Sequence, residues 1–121
     1  MSTEPRDLAV QALYEADQRD DSNEADDLPP KAARLVAGVL NHLRELDEEI
    51  DQASEHWRVQ RMPVVDRAIL RLGLYELRYE VETPAAVVVA EAVRLAKLFS
   101  TERSGAFVNG VLATLAEKER G

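Results

Sequence analysis

The sequence feature that most constrains this chain is the stretch at residues 63–79, PVVDRAILRLGLYELRY. Proline is favoured in the first turn of a helix, and the apolar residues that follow recur with the 3.6-residue period of an α-helix. One face of this helix carries six of them: Val65, Ala68, Ile69, Leu72, Tyr75 and Tyr79. Leucines cover much of the remaining circumference, and only the stripe of Arg67, Arg71 and Arg78 is suited to water. Because a helix with so little polar surface must be packed on several sides, the pattern predicts the central helix of an all-α bundle.

Glu76 interrupts the apolar face of this predicted helix. It falls nearly opposite the arginine stripe, so it cannot pair with those arginines, and it lies in the last turn, where the helix dipole disfavours an acid. Two interpretations follow from the residues. Either the helix end emerges from the core and leaves Glu76 solvated, or the acid is held for a basic partner at the edge of an apolar patch.

The length of 121 residues predicts one domain, 1–121, with a single hydrophobic core. No apolar run approaches the ~20 residues that a membrane span needs. The N-terminus, MSTEPRDLAV, has neither the basic nor the apolar region of a signal peptide, so we expect a cytoplasmic protein. The absence of cysteine excludes disulfides and thiolate chemistry.

The formal net charge of −8 means that the average surface repels nucleic acid, so any RNA binding must come from a local basic patch or from a partner. Seven of the thirteen residues at positions 15–27 are acidic and one is basic, and this stretch is predicted to be a solvated loop. They lack the spacing and the glycine of a calcium-binding loop. His42 and His56 lack ligand spacing, so neither a metal site nor a cofactor is predicted.

Helices are predicted on both sides of this loop. The first runs from about residue 6 to 19, with Thr3 as a candidate N-cap and Pro5 in its first turn. A long second helix is predicted at residues 31–54, and Gly38 within it suggests close packing with a neighbour. A short helical turn follows at residues 55–60, in which Trp57 is interpreted as a core residue.

Two more helices follow the central one. Thr83 is predicted to cap a helix that has Pro84 in its first position. Ser100 or Thr101 is predicted to cap the last helix, which runs to about Lys118. No segment alternates as a strand does, so the predicted fold class is all-α.

The last helix also carries a candidate binding surface. Phe107 lies about a quarter turn off the buried stripe, and Arg103 stands one turn before it. A phenyl ring beside a guanidinium suits a base stacking on an exposed RNA strand, although a packing edge under a loop has the same pattern. Asn109 is expected in a helix–loop hydrogen bond, and Tyr14 of the first helix at the core edge with its hydroxyl in water. No nucleophile–base pair or phosphate loop is present, so an enzyme is not predicted.

Five segments resemble the NusB family of transcription antitermination factors: AVQALYEAD, the Leu-Val-x-Gly-Val of the second helix, VDRAILRLGLYEL, TPAAVVVAEAVRLAKLFS and SGAFVNGVL. They occur in the family's order and spacing and cover nearly the whole chain. The resemblance implies an all-α bundle of about six to seven helices in two packed halves. It also implies a non-enzymatic RNA-binding adaptor, which binds boxA RNA of ribosomal RNA leaders together with NusE, a small-subunit ribosomal protein. NusA, NusG and RNA polymerase are the implied partners in the assembled complex.

The resemblance also implies roles for particular residues. Tyr14 and Glu76 would face NusE, and Phe107 would lie on the RNA side. Arg6 would be the remaining member of a basic N-terminal stretch that contacts phosphates, with Arg103 as a partial replacement for what is missing.

The N-terminus departs from the family pattern, because MSTEP stands where members typically carry several arginines and lysines. We therefore expect weak RNA binding by the chain alone and dependence on NusE. An upstream start that would supply the basic arm is a second explanation. A protein–protein module that binds NusE with little RNA affinity is the alternative function, and a monomer or weak homodimer is expected.

Overall fold

The computed structural model describes residues 4–19, 27–55 and 57–121. Residues 20–26 of the predicted acidic loop, the candidate cap Thr3 and His56 lie outside these residues. The prediction of a loop was wrong for residues 15–19, which belong to the first helix. The described residues form six α-helices and a short 3₁₀ turn, Val59–Arg61, and contain no strand, as the fold class predicted. The helices are α1 (Pro5–Arg19), α2 (Pro30–Asn41), α3 (Leu43–Ala53), α4 (Val64–Tyr79), α5 (Ala85–Phe99) and α6 (Glu102–Arg120).

Helix α4 is the centre of the bundle, which confirms the prediction from its periodicity. It contacts α1, α2, α3, α5 and α6, and residues on all of its sides are buried. Helices α4, α5 and α6 pack on one another as one half, whereas α1 and α2 pack together and against α4 as the other. Helix α4 therefore contacts the helices of both halves of the fold.

The arginine stripe of α4 faces acidic side chains, and the expectation that it faces water was wrong. Arg67 binds both carboxylate oxygens of Asp17 on α1, at 2.7 and 3.0 Å. Arg71 binds both oxygens of Asp47 on α3, at 2.8 Å each. The hydrogen bond from Arg67 holds the pKa of Asp17 below its usual range. These pairs fix α1 and α3 against α4 on the side that apolar packing leaves uncovered.

The predicted long helix at residues 31–54 is two helices, because the chain bends at His42. The backbone there leaves the helical region (φ −119°, ψ 18°), and the His42 N–H donates to the Val39 carbonyl instead of continuing the α-helical ladder. The His42 ring stacks on Tyr79 at 4.4 Å, and its Nδ1 lies 3.0 Å from Glu45. Hydrogen bonds from Tyr79 and the neighbouring Arg78 lower the pKa of Glu45 to about 2. The bend lets α2 pack on α1 and α3 pack on α4 and α6.

Gly38 is a point of close approach between α2 and α4, as its position in the pattern predicted. A Cβ atom at this position would overlap the ring of Tyr75. The ring is itself buried, at 8 % exposure, so the glycine allows an aromatic side chain of α4 to lie against the α2 backbone.

The helix ends differ in how well they were predicted. Helix α5 begins at Ala85, with Pro84 in the N-cap position and no side-chain cap, so the prediction that Thr83 caps it was wrong. Thr101 does cap α6 and accepts a hydrogen bond from the Ser104 N–H at 2.9 Å. At the other end of α6, Arg120 donates to four backbone carbonyls at the end of α4 and in the connector to α5. No helix in the described part of the chain is long and apolar enough to cross a membrane.

Candidate functional site

Glu76 is buried and paired with Arg6 of α1. Its side chain is 4 % exposed, so it is not a solvated helix end. Arg6 Nε lies 2.9 and 3.1 Å from the two carboxylate oxygens, and Nη2 lies 2.8 Å from Oε1. Burial lowers the pKa of Arg6, but the hydrogen bonds and the charge of Glu76 outweigh it and the pKa is raised. The sequence predicted that no arginine of α4 can pair with Glu76. The structure shows that the partner, Arg6, comes from α1.

A second ion pair lies beside the first. Arg94 of α5 binds Asp7 at 2.6 Å, and Asp7 is 2 % exposed. Glu91 lies between the two guanidinium groups, 3.1 Å from Arg94 and 3.8 Å from Arg6. The two arginines and three acids of this charged cluster hold the start of α1 against α4 and α5. In this conformation Arg6 is engaged by protein carboxylates, although the resemblance assigned it to phosphates.

Tyr14 lies on α1 with 39 % of its surface exposed. It lines an open pocket of about 500 Å³ together with Val10, Val65 and Phe99. Glu76 does not line this pocket. Val65, which does line it, and Glu76 are eleven residues apart on α4, or about 16 Å along that helix.

Phe107 and Arg103, in contrast, line the same pocket, and Trp57 joins them. This aromatic pocket has a volume of about 420 Å³ and lies between α6, the start of α4 and the segment before the 3₁₀ turn. The Trp57 and Phe107 rings meet edge to face, with centroids 5.4 Å apart and planes at 61°. Trp57 is 46 % exposed, so its interpretation as a core residue was wrong; Val59 is the buried residue of that segment. Arg103 is exposed at the rim.

Asp66 and Ser104 lie in the same aromatic pocket and were missed from the sequence. Asp66 is 1 % exposed, and its Oδ2 accepts a hydrogen bond from the Ser104 hydroxyl at 3.0 Å. Its Oδ1 is buried and has no hydrogen-bond partner among the described residues. Burial raises the pKa of Asp66, and the hydrogen bond from Ser104 opposes this; the Ser100 hydroxyl contacts that of Ser104 at 2.9 Å. The available signal was the position of Asp66 within the apolar face of its helix, one turn before Ile69 and Leu70.

Phe107 also borders a second, smaller groove, of about 260 Å³, that Gly110 and Thr114 line. The Thr114 hydroxyl donates back to the Gly110 carbonyl at 3.2 Å, and a Cβ atom at Gly110 would meet nothing within 4 Å. Asn109 is exposed, and no hydrogen bond of its side chain occurs among the described residues, contrary to the expected helix–loop contact. The Phe107 ring therefore separates two open surfaces along α6.

Comparison with known proteins agrees with this architecture. The model of the NusB family matches residues 3–117. The transcription antitermination protein NusB of Acidothermus cellulolyticus is 48 % identical over 93 % of this chain and 85 % of its own length. The NusB protein of Solibacter usitatus is 46 % identical over 90 % of this chain and 72 % of its own.

Solved structures are similar over nearly the whole fold. NusB of T. maritima superposes with a TM-score of 0.83 at 35 % identity, covering 98 % of this chain and 94 % of the other. A chain from a complex of the antitermination factors NusB and NusE with double-stranded RNA superposes with a TM-score of 0.80 at 28 % identity, covering 94 % of each chain. The central helix, the two-half bundle and both levels of similarity lead to one conclusion: this chain belongs to the NusB family, a non-enzymatic family of transcription antitermination proteins.

Proposed function

We propose that this chain is an antitermination adaptor that binds boxA of nascent ribosomal RNA together with NusE and so helps to prevent premature termination. The observation that supports it best is the aromatic pocket, in which an exposed Trp57, a half-buried Phe107 and the guanidinium of Arg103 meet. Aromatic faces beside a cation are the surface on which bases of unpaired RNA stack. The complex of related NusB and NusE chains with RNA supports the same pairing of partners.

Electrostatics make NusE a necessary partner in this proposal. The net charge of −8 opposes RNA over most of the surface, and Arg6 is bound to Glu76. Each phosphate contact contributes to affinity and adds nearly one unit to the salt dependence. A chain with a net negative charge, in which Arg6 is already bound to a carboxylate, therefore binds RNA weakly alone, and NusE supplies the missing positive charge.

The ion pair gives Glu76 and Arg6 a joint role in this proposal. A basic group of NusE that approaches Glu76 competes with Arg6 for the same carboxylate. Arg6, once displaced, is available to an RNA phosphate. Tyr14 contributes a further contact to NusE from its own pocket, which Glu76 does not line. We further propose a cytoplasmic protein, a monomer or weak homodimer, that joins NusA, NusG and RNA polymerase.

Fluorescence anisotropy of a labelled boxA-type RNA tests this function, with the chain alone and with equimolar NusE at two salt concentrations. Salt-sensitive binding that appears only with NusE is the expected result. Phe107→Asp should abolish RNA binding while NusE binding remains. Leu98→Asp is the matched control, because Leu98 is 58 % exposed on α5 and does not line the aromatic pocket.

Two outcomes would contradict the assignments. If Phe107→Asp unfolds the chain, Phe107 is a core residue, and Trp57→Ala then tests the pocket without burying a charge. If Glu76→Gln leaves the affinity for NusE unchanged, Glu76 has no part in that interface. The expected loss on removing a desolvated charge at an interface is about 2 kcal/mol or more.

The engagement of Arg6 also favours a second candidate, a protein–protein module that binds NusE for ribosome assembly or partner sequestration. This function requires NusE binding and no RNA affinity. Absence of RNA binding both with and without NusE would select it over the antitermination adaptor.

A further inference from the structure

We propose that Asp66 Oδ1 is a base-reading acceptor, which receives a hydrogen bond from the exocyclic amino group of one RNA base inserted into the aromatic pocket. The pocket would thereby prefer adenine or cytosine to uracil at one position of the RNA. This inference rests on the proposed RNA-binding function and adds to it a specificity-determining residue.

The unpartnered oxygen is the first observation. Asp66 is 1 % exposed, and Oδ1 is buried without a hydrogen-bond partner in the described parts of the chain. Buried polar atoms are nearly always hydrogen-bonded, and leaving an acceptor unsatisfied costs about 1–3 kcal/mol. An acceptor held in this state at the wall of a pocket is therefore prepared for an incoming donor.

The second observation is that the carboxylate is held in place. Ser104 donates to Oδ2 at 3.0 Å, and the Ser104 hydroxyl lies 2.9 Å from the Ser100 hydroxyl and 3.2 Å from that of Thr101. The Thr101 hydroxyl is itself fixed as the N-cap of α6. This hydroxyl network occupies Oδ2 and leaves Oδ1, which is buried in the structure without a ligand, as the oxygen that has no partner.

The walls of the pocket fit a flat, partly apolar ligand. Trp57 and Phe107 present aromatic surface, Pro63 adds an apolar edge, and Arg103 stands at the rim. The volume of about 420 Å³ lies at the lower end of the range for small-molecule sites, which is sufficient for one base. A base that stacks on the aromatic rings directs its edge toward the interior, where Asp66 lies, and leaves its phosphate near Arg103.

The chemistry of the acceptor selects among bases. A carboxylate accepts hydrogen bonds and repels carbonyl oxygens. The amino groups of adenine and cytosine each present an N–H to a single acceptor. Uracil has only an N–H flanked by two carbonyl oxygens, which the carboxylate repels. The amino group of guanine can also donate to a single acceptor. The acceptor therefore favours the bases that carry an amino group over uracil.

The test deletes single amino groups from the RNA. The complex of this chain with NusE is titrated with a boxA-type RNA in which one base at a time loses its amino group. Adenosine is replaced by purine riboside, cytidine by pyrimidin-2-one riboside and guanosine by inosine. At one position the wild-type complex should lose about tenfold in affinity, the value of one charge-assisted hydrogen bond. In the complex of Asp66→Asn the loss at that position should fall below twofold. The Ser104 hydroxyl, which donates to Oδ2, holds the amide oxygen at that place, so the amide nitrogen, a donor, replaces the acceptor Oδ1.

Glu102→Gln is the matched control, because it also converts a carboxylate to an amide. Glu102 lies in the first turn of α6, two residues before Ser104, and its side chain is 86 % exposed. It should retain the tenfold loss. If no position of the RNA is sensitive in the wild-type complex, the inference is wrong, and this holds whether or not Asp66→Asn is stable. In that case the unmodified RNA still binds and the proposed function stands. If the unmodified RNA itself fails to bind the complex, the proposed function fails, and this inference fails with it.

Discussion

Replacing Arg6 with alanine should destabilise the fold far more than loss of a surface cation does. The change removes the hydrogen bonds at 2.8–3.1 Å and leaves the carboxylate of Glu76, which is 4 % exposed, without its cation. Breaking a buried ion pair by removing one partner typically costs about 3–5 kcal/mol, because the remaining charge is left desolvated. The side chain of Arg6 is 18 % exposed, so water can enter the vacated space, and we expect the lower end, about 3 kcal/mol.

Urea unfolding followed by far-ultraviolet circular dichroism measures this loss as a shift of the midpoint at constant slope. Arg103→Ala is the matched control, because Arg103 is exposed and has no ion pair among the described residues. Its free energy of unfolding should change by no more than about 0.5 kcal/mol.

A double substitution separates the buried charge from the packing. Arg6→Met combined with Glu76→Leu removes both charges and keeps apolar volume, so it should recover most of the stability that Arg6→Ala loses. A loss below about 1 kcal/mol for Arg6→Ala would refute the reasoning, because it would mean that Glu76 is solvated after all. A double variant as unstable as Arg6→Ala would refute it as well, since the cost would then lie in packing.

Three further predictions concern the core and the aromatic pocket. Gly38→Ala should lower stability by a net 1–2 kcal/mol, roughly, because overpacking against Tyr75 outweighs the gain in helix propensity; a raised melting temperature would contradict the close approach. Asp66→Asn should leave the free energy of unfolding unchanged or raised at neutral pH. Burial raises the pKa of Asp66 in the native state, so the native state binds a proton that the unfolded state has already released. The stability that Asp66 contributes therefore falls as the pH rises above the usual pKa of an aspartate. The difference between variant and wild type in thermal melts should therefore grow from pH 3 to pH 7, and a difference that shrinks would contradict the sign. Trp57→Ala should lower the free energy of unfolding, measured in urea, by less than about 1.5 kcal/mol, because Trp57 is 46 % exposed. A loss of about 3 kcal/mol would mean that Trp57 is a core residue.

Periodicity was a sufficient guide wherever a helix buries one continuous face. The central position of α4 was predicted from it. The cap of α6 was predicted from residue type instead, and Thr101 is the one of the two candidates, Ser100 and Thr101, that forms it. Periodicity failed at His42, because the apolar pattern continues through the bend while the helices on either side pack against different neighbours. It failed at Trp57 for a related reason: a large apolar residue in a short irregular segment carries no period that tells burial from exposure.

The candidate site shows the same division. Arg103 and Phe107 are one helical turn apart, so their shared surface was predictable, and the structure adds Trp57 to it from a different segment. The partner of Glu76 was not predictable, because Arg6 is 70 residues away along the chain. The unpartnered oxygen of Asp66 depends on a serine of α6, and no local pattern reports that contact.

The sequence by itself determined the fold class, the order of the helices and the family, because these depend on the spacing of apolar residues and on motifs that are local in the chain. Only the tertiary structure decided which charges are neutralised and which polar atoms are left without a partner. Burial and ion pairing depend on contacts between distant residues, and the energy of a charge changes by several kcal/mol with a partner a few ångströms away. The same arginine or aspartate can therefore be a free binding group or a structural one, and the packing of α1, α5 and α6 around α4 determines which.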